Sequence, residues 1–331
     1  MNDHTKTSEP PANALVGDAA GDPEPRGPRA VPPDVEYHRV LAGEKRRIGR
    51  GILAIALLLG GMLVFAILLG GAAALLDAQW GDTTPAAGGI EYTPLQFAAG
   101  MASIALLAPW SMLIQRWLYG VRGPSLHSVI SRFRFDLFGR ALVLVGPLWV
   151  LAVVTQHVLL GPDASTEWSF TDVIGILAAV LLLTPLQAAG EEYGLRGLVF
   201  RVAGSWARGP RAGLIVGIIV SSVAFAVIHA AADPWLNAHY LMVAVILAIV
   251  TWRTGGLEIA VVVHALNNMI LFLFVVAMHG DIGAGLTDRS AGVASAAMVV
   301  PLMVAGALVV AVVWLRTRHT GPARTPADQL R

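Results

Sequence analysis

Long apolar runs alternate with short charged stretches along this chain. The first run, 51–76, holds 26 residues without a charge. A helix needs about 20 apolar residues to cross the hydrocarbon core, so this run has length to spare. Further runs follow at roughly 95–114, 141–160, 173–190, 212–230, 238–252, 257–278 and 291–315. Inside hydrocarbon every backbone N–H and C=O needs a partner in its own segment, so each run is predicted as a helix. Pro185 lies inside the fourth run, which continues into Glu191, and predicts a kink or a break there. The pattern predicts an all-α polytopic membrane protein of about eight transmembrane helices.

The stretches between the runs set its orientation. Lys45, Arg46, Arg47 and Arg50 precede the first run, and Arg116, Arg122, Arg132, Arg134 and Arg140 follow the second. Arg196, Arg201, Arg208 and Arg211 follow the fourth, Arg253 the sixth, and Arg316 and Arg318 the eighth. The alternate loops are poor in Lys and Arg, with Arg289 the exception. The positive-inside rule then places both termini in the cytoplasm of a multi-pass cell-membrane protein, as an even number of crossings also requires. Residues 1–47 are polar and rich in Pro, Gly and Ala, and are predicted to be a disordered tail. The first apolar run begins only after them, which argues against a secretory signal peptide.

Composition adds three exclusions. Of the 331 residues 56% are hydrophobic and 14% charged, where a soluble domain carries about 25% charged residues. A soluble enzyme is excluded and a bilayer is implied. Net charge is +1 and no basic face is visible, so no nucleic-acid partner is expected. The chain has no cysteine, which removes disulfides, thiolate metal sites and a thiol nucleophile.

Polar residues inside the apolar runs are the candidates for chemistry, because an ionisable group at membrane depth costs several kcal/mol. Glu191 and Glu192 stand side by side at the end of the fourth run, with Arg196 four residues on from Glu192 and on its helix face. Glu191 points about 100° away, where it is placed to act as a general base. An interfacial Glu–Arg pair ending a helix would look the same. Phe225 and His229 are four apart in FAVIH, and His264 and Asn268 four apart in HALNN. An interfacial histidine and interhelical amide packing are the plainer alternatives for these two. Together the groups suit water activation: a glutamate takes a proton from water, histidines hold the water or protonate a leaving amine, and an asparagine amide stabilises an oxyanion. Glu191, His229 and His264 could instead ligate Zn²⁺, although HExxH is absent.

The order EExxxR, FxxxH, HxxxN on three hydrophobic helices resembles the CPBP intramembrane proteases, which include the type II CAAX prenyl endopeptidases and bacteriocin-immunity proteins. The resemblance covers about 170–275. It implies an eight-helix fold with an intramembrane catalytic cavity and a membrane-associated protein or peptide as substrate. It also implies that Glu191 activates water, that His229 assists, and that His264 and Asn268 form the oxyanion site. Glu192, Arg196 and Phe225 would support them. A glutamate-based mechanism is expected over a zinc one, since only two histidines are present and asparagine is a poor zinc ligand. A catalytically silent immunity or binding protein, or a transporter, are the alternative functions. The expected division is a tail at 1–47, three helices in 48–170, a catalytic core in 171–278, and a last helix with its tail in 279–331. The loop count puts Glu191 and His264 toward the cytoplasmic side and His229 near the opposite one.

Overall fold

The computed structural model describes residues 29–80, 92–160 and 167–327. The expected loops at 81–91 and 161–166, and residues 1–28 of the expected tail, lie outside the described residues. The first span is the single helix α1 (Ile48–Trp80). The second is α2 (Pro94–Ala105) followed by α3 (Leu107–Tyr119), and the third is α4 (Phe135–Leu160). The fourth is composite: α5 (Phe170–Leu182), α6 (Thr184–Glu192), a wide π-helical turn (Tyr193–Val199) and α7 (Phe200–Gly204). Then come α8 (Pro210–Ile228), α9 (Pro234–Thr254), α10 (Glu258–Ala277), the short α11 (Ile282–Thr287) and α12 (Ala296–Thr317). Eight spans are long and apolar enough to cross a membrane, and no strand forms among the described residues. The chain is an all-α, multi-pass membrane protein.

Local chemistry explains where the helices start and break. Thr93 accepts from the Gln96 N–H at the start of α2, and Ser169 and Asp172 form a reciprocal capping box at the start of α5. Asp233 accepts from Trp235 and Leu236 N–H at the start of α9. The fourth span breaks at Leu183, two residues before Pro185, as the sequence predicts. Pro109 has no N–H to offer and its ring crowds the carbonyl four residues back, which accounts for the second break, at Leu106. Such breaks survive in a membrane only inside protein, and both lie beside α6. Helix α10 runs through the middle, packed against α4, α5, α6 and α9. Outward rows such as Leu63, Ile67 and Leu68 on α1, and Ile215 and Ile219 on α8, are exposed, as lipid-facing side chains must be.

Two expectations need correction. The 31–42 part of the expected tail is packed rather than loose: Val31, Tyr37, His38, Val40 and Leu41 are buried. Its scattered apolar side chains find a groove across the bundle end, and Thr325 of the C-terminal segment bonds to Val35 and Pro32 beside it. Arg196 and Arg201, counted as loop charges, lie inside the fourth span and are fully buried. Each has local compensation: Glu192 pairs with Arg196, while Arg201 donates to Gln115, Ser125 Oγ and the Ser125 carbonyl and lies 3.9 Å over the Tyr37 ring.

Candidate active site

The fourth span brings its carboxylates to the centre because of its length and its π turn. Glu191 and Glu192 end α6, and the next seven residues form the wider turn. Such turns displace side chains from α-helical register and are frequent at functional sites. Gly190 makes the approach possible. A Cβ there would stand 2.1 Å from the Ile104 carbonyl oxygen, so only glycine lets α6 press against the broken α2–α3 span.

The two glutamates have different surroundings. Glu192 is fully buried, 3.1 Å from Arg196 Nη1 and 2.7 Å from His264 Nδ1. The expected i,i+4 pair with Arg196 forms, and α10 adds a second partner. Glu191 is also buried. Its Oε1 accepts from the Gln187 amide at 2.7 Å. Its Oε2 has no hydrogen-bond partner among the described residues and lies 3.6 Å from His264 Nε2. His264 thus stands between the carboxylates, one ring nitrogen toward each.

Asn268, one turn after His264, joins the same network. Its Nδ2 donates to Gln187 Oε1 at 3.0 Å, and its Oδ1 accepts from Asn267. Asn267 Oδ1 in turn accepts from Trp149 Nε1 on α4. Gln187 therefore links Glu191 to Asn268 across α6 and α10.

His229 arrives from α8. Its Nδ1 lies 2.7 Å from the Phe225 carbonyl, a contact that requires Nδ1–H and leaves Nε2 as an acceptor. Phe225 is the hub between helices: its ring centroid is 4.5 Å from that of His229 and 5.8 Å from that of His264, and the Arg196 guanidinium lies 4.3 Å over it. The sequence placed His229 on the opposite side from Glu191 and His264. The structure instead gathers all three around Phe225 and His264, because the fourth span continues to Gly204 and so carries Glu191 within the bundle rather than at the end of the span.

Two participants escape the motif pattern. Gln187 had a readable signal, being a lone amide four residues before Glu191 in an apolar helix. Tyr240, on α9, stacks on His229 with centroids 4.1 Å apart and has no local spacing to reveal it.

Among the described residues, no three or more His, Asp or Glu side chains come together as a group that could hold a metal ion. The metalloprotease expectation, with Zn²⁺ on Glu191, His229 and His264, therefore gains no support from these residues. Nδ1 of each histidine faces a partner, the Phe225 carbonyl for His229 and Glu192 for His264, which leaves Nε2 as the outward nitrogen of both.

Residues 173–270 match the family described as type II CAAX prenyl endopeptidase Rce1-like. The uncharacterized protein YyaK of Bacillus subtilis (strain 168) is 31% identical over 136 residues, which is 39% of this chain and 44% of that protein. The chain therefore spans less than half the length of this curated relative. No solved structure matches. Glu191, Glu192, Arg196, Phe225, His229, His264 and Asn268 all fall within the matched residues. Residues 173–270 are thus the part of this chain that is similar to the type II CAAX prenyl endopeptidase Rce1-like family.

Proposed function

We propose that this protein is an intramembrane endopeptidase that hydrolyses a peptide bond of a membrane-associated protein or peptide, with Glu191 as the general base. The observation that carries this is the buried Glu191 carboxylate. One oxygen is fixed by Gln187 and the other, without a hydrogen-bond donor, faces His264. An unsatisfied carboxylate oxygen in a water-poor interior is costly, and a water molecule that donates to it relieves the cost.

The steps follow from the donors and acceptors. Glu191 removes a proton from water as the water oxygen attacks the scissile carbonyl carbon. His229 Nε2, an acceptor, holds that water. The negative charge moves to the carbonyl oxygen, where the second Asn268 amide hydrogen and His264 Nε2–H stabilise it. The contact of His264 Nδ1 with Glu192 fixes the ring so that Nε2 points toward Glu191 and the reacting carbonyl. The proton held by Glu191 passes to the departing nitrogen, the C–N bond breaks, and the products are a carboxylate and an amine.

In this proposal Glu191, His229, His264 and Asn268 are catalytic, Glu192 and Arg196 hold His264, and Phe225 and Tyr240 hold His229. The sidedness inferred from loop charges, with both termini in the cytoplasm of the cell membrane, belongs to the same proposal. The test is cleavage of membrane-anchored reporter peptides by the purified protein in lipid, with Glu191→Gln beside it. The substitution keeps shape and burial, so the fold survives while cleavage falls by about 10²–10⁴. Undiminished cleavage by Glu191→Gln would overturn the assignment. Loss of cleavage with a chelator and recovery with zinc would overturn the metal-free mechanism.

A further inference from the structure

We propose that the cleft between the N-terminal strap (29–47), the start of α1 and the end of α3 is a binding site for a phosphate-bearing anion, the headgroup of an anionic phospholipid. A cavity of about 500 Å³ opens there, lined by Arg29, Lys45 and Arg47 around the buried Tyr119, Val121 and Val40. Glu44 is the one acidic residue on its wall, so cations outnumber anions three to one. Arg29, Lys45 and Arg47 make no ion pair among the described residues.

A second observation points to a ligand. Tyr119 is only 4% exposed, and its hydroxyl has no hydrogen-bond partner among the described residues. Arg47 and Arg50 lie close enough to act on this hydroxyl electrostatically. A buried O–H with nothing to donate to, on a residue that lines a cavity rimmed by guanidinium and ammonium groups, fits an anionic oxygen. Arg50 is held in place by donating to the Leu118 carbonyl at 2.7 Å. The strap is tied to the far wall, where Arg29 N–H donates to the Gly120 carbonyl at 2.7 Å.

Position and floor select the lipid as the source. Helix α1 begins at Ile48, directly after the lining residues, so the cleft opens where a membrane helix meets water and headgroup phosphates lie. Val40, Leu41 and Val121 give the floor an apolar surface that suits a glycerol ester and the start of an acyl chain. Inorganic phosphate has no use for it.

The test titrates the full chain, purified in neutral detergent, with short-chain phosphatidylglycerol, phosphatidylcholine and inorganic phosphate, and reads bound lipid by native mass spectrometry. Phosphatidylglycerol is expected to bind at least about tenfold more tightly than phosphatidylcholine, and inorganic phosphate is expected not to displace it. Replacing exposed Lys45 and Arg47 together (Lys45→Gln, Arg47→Gln) should weaken phosphatidylglycerol binding by about tenfold or more. Tyr119→Phe should weaken it by about fivefold, through the lost hydrogen bond to a charged group. A diffuse basic belt would ignore the tyrosine change. Equal binding of the two lipids would overturn the proposal, as would phosphatidylglycerol binding untouched by the Lys45/Arg47 pair. Displacement by inorganic phosphate at similar affinity would overturn the lipid as its source. If Tyr119→Phe lowers the unfolding temperature without lipid, the exposed pair decides alone.

Discussion

At the scale of single residues, the adjacent glutamates are predicted to separate stability from activity. Glu192 lies in full burial beside Arg196 and His264. Glu192→Gln leaves the Arg196 guanidinium buried without its counter-charge, which should destabilise the fold by about 3–5 kcal/mol. Thermal unfolding in detergent would measure it. Glu191→Gln keeps the Gln187 contact and adds no uncompensated charge, so its unfolding temperature should stay near that of the native chain while cleavage is lost. If both variants unfold alike, the division of roles between the two carboxylates is wrong. Asn268→Ala removes one amide from the network but no charge. It is expected to lower kcat by about 10²-fold or more, with the smaller effect on KM that a group acting on the developing oxyanion predicts. The motif residues were legible one by one because charge and amide groups stand out in apolar helices. The difference between Glu191 and Glu192 was legible only in part: the i,i+4 spacing showed Arg196, whereas the His264 contact depends on α10 lying against α6.

At the scale of elements, the site depends on two breaks and a glycine that let broken spans touch. The Pro185 break was readable from sequence, because a proline in a helix interior has few outcomes. The Pro109 break was equally available in principle, but Pro109 sits in a run that reads as one continuous apolar segment. The π turn at Tyr193–Val199 left no mark, since nothing in YGLRGLV distinguishes a wide turn from an ordinary one. That turn and the span's extension to Gly204 are why the charges of Arg196 and Arg201 were mistaken for a loop: buried pairing mimics a charged end. Gly190→Ala should force α6 from the Ile104 carbonyl and cost about 1–3 kcal/mol in stability. Pro185→Ala, by contrast, lets α5 and α6 join without a clash. The fold should hold, yet Gln187 and Glu191 would rotate relative to α10. A misplacement near 1 Å is worth about 10²-fold in rate. Retained unfolding temperature with lost cleavage is the expected pair of results, and full cleavage would show that the break does not position the site.

At the scale of the whole molecule, both described ends of the chain meet on one face of the bundle. Glu36 bridges to Arg324, Trp252 Nε1 donates to Glu36 Oε2 at 2.7 Å, and Arg39 donates to the Gly204 and Ala207 carbonyls. A Pro-rich composition concealed this strap, because its few apolar residues gain burial only from a surface that eight packed helices create. His38 makes it pH-sensitive. Its ring is buried against Phe200, and its Nε2 lies 3.0 Å from the Pro210 carbonyl, so the bonded nitrogen carries the hydrogen. Burial holds the ring below the ordinary histidine value of 6.5, outweighing the Pro210 bond and the nearby Glu36, which act to raise it. A histidine depressed on folding resists protonation only while folded. The strap therefore keeps its full stability above the unfolded value near 6.5 and loses it progressively as pH falls below that, down through the lower folded value. Amide hydrogen exchange over 35–41 should be slow at pH 7.5 and faster at pH 5, with the spans less affected. His38→Phe, which cannot be protonated, should flatten the dependence. An unchanged pH profile in that variant would show that His38 is not the source of the acid sensitivity.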